Sequence, residues 1–177
     1  IGCIPLSLIA INMGWTADTA IQAGRHFDEA DVYWMEEPIV CEDFDIETAA
    51  DRILYAKYVN AGQTCLAPDY VMVPETKRDQ FVEAAKRILS KRYPDINDQS
   101  YTSVIDEKSY GRLRVTLEDA ERKGAKAVKL VPNSEWNDEL RKIPPTIVLD
   151  TTEEMTIMQE EIFGPLLPVR TYRSLDE

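Results

Sequence analysis

Apolar and polar positions along the chain follow the pattern of helices that alternate with buried strands. Behind Asp45, apolar residues recur every three or four positions up to about Asn60, which predicts an amphipathic helix. The apolar run Tyr70–Val73 then predicts a buried strand. The alternation continues to a last strand at Leu166–Tyr172, so the pattern predicts an α/β fold with a largely parallel sheet. Between these elements we predict helices at Glu75–Arg92 and Asp106–Gly124, and strands at Ala127–Val131 and Thr146–Leu149.

The first part of the chain shows a separate strand, helix and strand pattern. Ile4–Ile11 is mostly apolar, Thr16 is a good helix N-cap, and Val32–Met35 is a second apolar run. Two strands joined by a helix predict a β-α-β unit with a right-handed crossover. We therefore predict two regions, a β-α-β fragment over residues 1–44 and a larger α/β domain over residues 45–177.

The chain is strongly acidic, because 32 Asp and Glu outnumber 20 Lys and Arg and give a net charge of −12. Such a balance argues against a nucleic acid or an anionic membrane as partner, since phosphate binding needs clustered basic residues. No apolar run approaches the ~20 residues of a membrane span, and we see no signal peptide. Three widely spaced cysteines show no disulfide or metal pattern, and their odd number suits a reducing compartment. We predict a cytoplasmic protein without a metal site.

The stretch Asn60-Ala61-Gly62-Gln63-Thr64-Cys65 places a cysteine in a turn between a predicted helix and a predicted strand. A thiol in such a turn is open to substrate. Backbone N–H groups that point at the sulfur favour the thiolate, which is the nucleophilic form. The alternative interpretation is an inert packed thiol, because free cysteine also behaves as a small apolar residue.

A second stretch, Glu160-Glu161-Ile162-Phe163-Gly164-Pro165, favours the nucleophile. Together with Gly62-Gln63-Thr64-Cys65 it resembles the aldehyde dehydrogenase superfamily, with the paired motifs in the right order. The flanking Leu66-Ala67-Pro68-Asp69-Tyr70-Val71, Tyr101-Thr102-Ser103 and Pro144-Pro145-Thr146 look like coniferyl aldehyde dehydrogenases. Residues 45–177 are therefore interpreted as part of an aldehyde dehydrogenase catalytic domain.

The resemblance implies a role for three residues. Cys65 would be the nucleophile that adds to the aldehyde, and its own backbone N–H would be one donor to the oxyanion. Glu161 would accept hydrogen bonds from the hydroxyls of the nicotinamide ribose, and Phe163 would pack against the nicotinamide end. The implied cofactor is NAD or NADP, the substrate an aldehyde that is oxidised to its acid, and the full-length enzyme a homo-oligomer.

Two parts of the family's pattern are not found in this sequence. The Glu-Leu-Gly-Gly stretch that carries the general base is absent. Asp31 lies near the corresponding spot, but the residues around it do not match that motif. The upstream Asn that serves as second oxyanion donor is absent as well. We therefore expect that this chain by itself does not oxidise aldehydes.

Residues 1–44 resemble a different family, the enolase superfamily of barrel enzymes near its mandelate racemase and sugar-acid dehydratase branch. The resemblance rests on Asn12-Met13-Gly14-Trp15-Thr16 and on Trp34-Met35-Glu36-Glu37-Pro38, where Glu36 would bind Mg²⁺. The partner carboxylate is replaced by Ala10, and one carboxylate does not hold a hard cation. A Mg²⁺-dependent dehydratase or racemase of a sugar acid is one alternative function. An inactive chimera or fragment is the other.

Overall fold

The computed structural model describes residues 38–174, which contain three helices and four strands. Each helix and strand overlaps the element predicted at that place. Two single 3₁₀ turns, Glu75–Lys77 and Thr156–Met158, complete the order. The elements are α1 (Ile46–Tyr58), β1 (Val71–Pro74), α2 (Arg78–Arg92), α3 (Glu107–Arg122), β2 (Lys126–Lys129), β3 (Thr146–Leu149) and β4 (Leu166–Tyr172).

The four strands form one sheet in the order β1-β4-β3-β2. Strand β1 runs parallel to β4, with Val71 opposite Val169, and β3 also runs parallel to β4, with Thr146 opposite Leu166. Strand β2 pairs antiparallel with β3. The predicted α/β fold with a largely parallel sheet is confirmed, and β2 is the antiparallel exception.

Apolar side chains pack on both faces of this sheet. Neighbouring residues of a strand point to opposite faces, and Ile147 and Leu167 lie in one core cluster whereas Val148 and Leu166 lie in the other. The first cluster also contains the buried faces of α1 and α2, and the second contains that of α3. The domain is therefore a three-layer structure in which every strand except β2 is almost wholly buried.

Aspartate caps start the two helices that matter most for the candidate site. Asp45 Oδ1 accepts from the Thr48 N–H at 2.8 Å at the start of α1, and Asp106 Oδ1 accepts from the Ser109 N–H at 2.7 Å at the start of α3. These carboxylates satisfy N–H groups that have no partner inside the helix. Both starts were predicted at these residues. No helix in residues 38–174 has the length and apolar character that crossing a membrane requires.

The segment Pro38–Val40, which precedes the predicted boundary at residue 44, packs into the α/β domain. Ile39 forms a parallel bridge with Met72 on the side of β1 away from β4, and the fully buried Val40 belongs to the core. The hydroxyl of Tyr172 donates to the Val40 carbonyl at 2.6 Å. The domain thus includes Pro38–Val40. The β-α-β fragment, its resemblance to the enolase superfamily and Glu36 lie outside the described residues and stay predictions.

Candidate active site

The loop after α1 carries Cys65 and reverses the chain at two left-handed residues. Helix α1 ends at Tyr58. Ala61 and Gly62 then have φ angles of 50° and 76°. Glycine adopts this conformation at the least cost. The helix ends at Tyr58 with Val59 as its C-cap, ahead of the end predicted at Gly62, and Gly62 instead forms part of the turn that follows. Cys65 follows in a loop between helix and strand, which is where the sequence pattern places it.

Hydrogen bonds hold the backbone that leads to Cys65. Asn60 Nδ2 donates to the Gln63 carbonyl at 3.0 Å, and the Gln63 N–H donates to the Asn60 carbonyl at 3.0 Å. The Gln63 side chain reaches a second segment, because Nε2 donates to the Ser103 carbonyl at 3.0 Å and Oε1 accepts from the Ile105 N–H at 2.9 Å. Gln63 therefore fastens the loop while Cys65 itself stays exposed.

The segment 161–164 forms a turn ahead of β4, and its backbone is anchored by α3. Arg112 Nη1 donates to the Glu161 carbonyl at 3.3 Å, and Nη2 donates to the Ile162 carbonyl at 2.6 Å. Ile162 is only 1% exposed. Glu161 is exposed, and Phe163 is half-buried with a left-handed φ of 44°. The hydrogen bonds from Arg112 go to main-chain carbonyl groups and do not involve the Glu161 carboxylate, which stays open to solvent.

The Cys65 loop and the Glu161 turn meet at two points. Gly62 lies so close to Gly164 that a Cβ atom on Gly62 would be 2.0 Å from the Gly164 carbonyl oxygen. Asp69 Oδ1 accepts a hydrogen bond from the Ile162 N–H at 3.2 Å, across 93 residues of sequence. One backbone contact and one side-chain hydrogen bond therefore bring the two motifs together.

Two groups of opposite charge, the fully buried Lys57 and the half-buried Asp69, influence each other at this junction. Lys57 of α1 is fully buried, and burial lowers the pKa of its ammonium group from 10.5 to about 8, against the opposing effects of the Asp69 and Glu161 carboxylates. Burial also raises the pKa of Asp69, and Lys57, the Ile162 N–H and Arg112 oppose that rise. Desolvation is the largest cause for both groups, so both charges exist here at a cost.

The structure brings together the neighbourhoods of all three residues that the resemblance singled out. Cys65 lies in the loop that contains Gly62, and Glu161 and Phe163 lie in the turn that contains Gly164. Their catalytic and cofactor-binding roles remain predictions. Within residues 38–174, no cluster of His, Cys, Asp and Glu is arranged to hold a metal ion. The expectation that the cysteines form no disulfide is wrong, because Cys41 is disulfide-bonded.

Sequence reasoning missed two residues that hold the junction, Asp69 and Arg112, and the buried cation Lys57 near it. Asp69 stands within the motif region, but no local pattern shows that its carboxylate reaches Ile162. Arg112 occupies an ordinary helical position of α3, where an exposed cation is the usual interpretation. Lys57 did give a signal, since helical spacing places it on the apolar side of α1 with Ile53 and Leu54.

Comparison with known proteins agrees with these features. Residues 36–177 match the aldehyde dehydrogenase family. The coniferyl aldehyde dehydrogenase of Pseudomonas sp. strain HR199 is 43% identical over 141 residues, which are 78% of this chain and 29% of that protein. The chain thus spans less than a third of the length of this curated relative.

Two solved structures share the fold. The substrate-bound AldH of Staphylococcus aureus is 33% identical with a TM-score of 0.72, and the match covers 91% of this chain and 36% of that one. The NADP-dependent glyceraldehyde-3-phosphate dehydrogenase of Bacillus halodurans, in complex with NADP, is 25% identical with a TM-score of 0.69, covering 89% and 34%. The family match extends over most of the chain and contains both motifs of the junction. The chain belongs to the aldehyde dehydrogenase family.

Proposed function

We propose that this chain is the thiol-bearing part of an enzyme that oxidises an aldehyde to its carboxylic acid with NAD or NADP. The observation that carries the proposal is the direct contact between the Cys65 loop and the Glu161 turn at Gly62 and Gly164. A nucleophile and a group that binds the hydride acceptor must lie near each other for this reaction. The contact supports that proximity, because it joins the loop that contains Cys65 to the turn that contains Glu161.

Cys65 performs the covalent chemistry in this proposal. Its sulfur bonds to the aldehyde carbon while the carbonyl electron pair moves to oxygen, and the Cys65 N–H stabilises the resulting oxyanion. Loss of hydride from the carbon leaves a thioester on Cys65. Attack by water on the thioester then releases the acid and restores the thiol. The exposure of Cys65 allows an aldehyde to reach it.

The residues of the Glu161 turn suit one end of a dinucleotide, which when bound supplies the hydride acceptor. Among residues 38–174, no side chain or N–H donates a hydrogen bond to the exposed Glu161 carboxylate, so both of its oxygens are available to the two hydroxyls of a ribose. Phe163 offers an aromatic face that is only partly covered. Arg112 and Asp69 hold the backbone of the turn and leave these two side chains to bind.

The proposed substrate class comes from the relatives. We propose an aromatic aldehyde of the coniferyl type, because the Pseudomonas relative named for that activity is 43% identical over most of this chain. We also propose a cytoplasmic homo-oligomer as the state of the whole enzyme. NAD and NADP remain equal candidates, since the Glu161 end of the site contacts only the part that both dinucleotides share.

A substrate analogue that needs no dinucleotide tests the thiol directly. p-Nitrophenyl acetate transfers its acetyl group to a reactive thiolate and releases p-nitrophenolate, which absorbs visible light. We expect a stoichiometric release with acetylation of the Cys65 peptide, and loss of both with Cys65→Ser. Unchanged release from Cys65→Ser, or acetylation elsewhere, would refute the assignment of the nucleophile.

A ligand-binding measurement tests the Glu161 turn. Nicotinamide mononucleotide carries the ribose and the nicotinamide without the adenosine half, and saturation-transfer NMR detects weak binding. We expect transfer to the nicotinamide and ribose protons, and a clear reduction with Glu161→Gln, which keeps the shape of the side chain and removes its charge. Equal transfer in both proteins argues against Glu161 as the ribose ligand.

A further inference from the structure

Lys57 is a buried cation for which the described structure provides no direct partner. The side chain is 0% exposed, and its Nζ atom forms no hydrogen bond with any residue of 38–174. An ammonium group that leaves water without new hydrogen bonds costs several kcal/mol, so buried lysines are usually paired. A methionine or leucine at this place would fill the same space at no such cost. The lysine therefore calls for a functional explanation.

The charged groups that face Lys57 come from the two motifs of the candidate site. Asp69, which follows the Cys65 loop, and Glu161, in the turn, both act on it electrostatically. Asp69 in turn is acted on by Lys57 from α1, by Glu161 from the turn and by Arg112 from α3. The Asp69 and Glu161 carboxylates both favour the charged form of Lys57, and Asp69 also holds the turn through the Ile162 N–H.

We propose that Lys57 is a positioning residue whose buried ammonium is the counter-charge of Asp69, so that the Asp69 carboxylate fastens the Glu161 turn to the Cys65 loop. The link runs from α1 to Lys57, from Lys57 through space to Asp69, and from Asp69 to the Ile162 N–H. A charged acceptor makes a stronger hydrogen bond than a neutral one. Lys57 therefore acts on Glu161 and Phe163 indirectly, through the backbone that carries them.

The role given to Glu161 rests on the proposed function, but the link itself does not. The link predicts that Asp69 is harder to ionise when Lys57 loses its charge, whether or not a dinucleotide binds. A lysine with a merely structural role would change stability and leave the ionisation of Asp69 unaffected. These two possibilities separate in a pH titration.

The test follows the Ile162 backbone amide by ¹⁵N–¹H NMR as a function of pH, in the full 177-residue chain. Because this N–H donates to Asp69 Oδ1, its chemical shift reports the ionisation of that carboxyl. With Lys57→Met we expect the midpoint to rise by about 1–3 pH units, the usual effect of losing a nearby opposite charge. Asp69→Asn keeps an acceptor oxygen and should abolish the titration. Lys142→Met removes another buried lysine and should leave the midpoint where it is.

A midpoint that stays unchanged in Lys57→Met overturns the proposal, as does an equal shift in Lys142→Met. Binding of nicotinamide mononucleotide separates the link from the proposed function. If Lys57→Met shifts the midpoint and weakens binding as Glu161→Gln does, both stand. If the midpoint shifts but the unmodified chain binds no nicotinamide mononucleotide, the link stands and the role of Glu161 fails.

Discussion

Two regions of the molecule each bury a lysine, and they treat it differently. Lys142, in the segment before β3, is 5% exposed, and its ammonium donates to the Asp98 carbonyl at 2.5 Å and the Tyr101 carbonyl at 2.8 Å. Lys57, beside the junction of the two motifs, is 0% exposed and makes no hydrogen bond to the described residues. Both lysines lie in well-packed surroundings. They differ in whether the backbone nearby supplies acceptors.

The difference separates a structural lysine from a candidate functional one. Lys142 closes the loop 95–101, because its ammonium donates to the carbonyl of the buried Tyr101 and to the Asp98 carbonyl, which also accepts from the Tyr101 N–H at 3.2 Å. These hydrogen bonds contribute to stability. The ammonium group of Lys57 donates no hydrogen bond to a described residue, and the cost of its desolvation outweighs the attraction of the nearby carboxylates. A protein retains such a costly group where the charge serves a site. The following predictions test that contrast, beginning with the contact that joins the two motifs.

Replacing Gly62 by alanine should have the largest effect on the region around Lys57. The new Cβ would overlap the Gly164 carbonyl at 2.0 Å, and alanine disfavours the φ of 76°. We expect a loss of about 2–5 kcal/mol in the free energy of unfolding, from the left-handed backbone and the overlap together. Urea denaturation followed by circular dichroism measures it.

Gly111→Ala is the matched control for that substitution. Gly111 lies within α3 and has no left-handed φ, and a Cβ atom added there would have no heavy atom of another part of the chain within 4 Å. Alanine there should raise stability by up to about 1 kcal/mol, because glycine is the poorer helix former. A Gly62→Ala protein as stable as Gly111→Ala would show that the two motifs are not in backbone contact.

Lys142→Met should destabilise the region that satisfies its lysine. The substitution keeps most of the side-chain volume but leaves the Asp98 and Tyr101 carbonyls without this donor. We expect a loss of about 1–3 kcal/mol in the free energy of unfolding. Urea denaturation at neutral pH checks this value, and a neutral result would mean that water replaces the ammonium at no cost.

The positions of the helices, strands and motifs follow from local sequence, and the junction does not. Asp45 and Asp106 stand before apolar residues at helical spacing, and Gly62 follows such a stretch, so each boundary is encoded nearby. The hydrogen bond from Ile162 to Asp69 joins residues 93 positions apart. No local pattern specifies that pairing, which depends on how β1 and β4 lie side by side. Lys57 could be placed on the buried face of α1, but its lack of a partner is visible only in three dimensions.

Lys57→Met should behave in the opposite way to Lys142→Met. Desolvation is the largest influence on the ammonium of Lys57, and it exceeds the attraction of Asp69 and Glu161. Removing the charge should therefore leave the protein at neutral pH at least as stable as before, because the desolvation cost that is relieved exceeds the attraction that is lost. The same denaturation experiment decides the matter. A loss comparable to that of Lys142→Met would mean that Lys57 is a structural residue with a strong partner, and the contrast between the two regions would disappear.

The pH dependence of stability is the most specific effect of an unsatisfied lysine. In the folded chain the pKa of Lys57 is lowered from 10.5 to about 8, so above that pH the folded state binds fewer protons than the unfolded state. Stability therefore rises with pH between about 8 and 10, by at most about 1.4 kcal/mol per pH unit.

Buried tyrosines oppose this trend at the upper end of the range. Burial raises the pKa of Tyr58 and of Tyr101, so these phenols ionise more readily in the unfolded chain and favour unfolding at high pH. The difference between the unmodified chain and Lys57→Met cancels the tyrosine contribution, because both proteins contain the same phenols. Thermal unfolding at a series of pH values gives the difference in stability between two proteins as a function of pH. This difference should rise with pH for the unmodified chain relative to Lys57→Met. It should stay constant for the unmodified chain relative to Gly111→Ala, which keeps Lys57. Parallel curves for the first pair would mean that the ammonium of Lys57 titrates in the folded chain as it does in water.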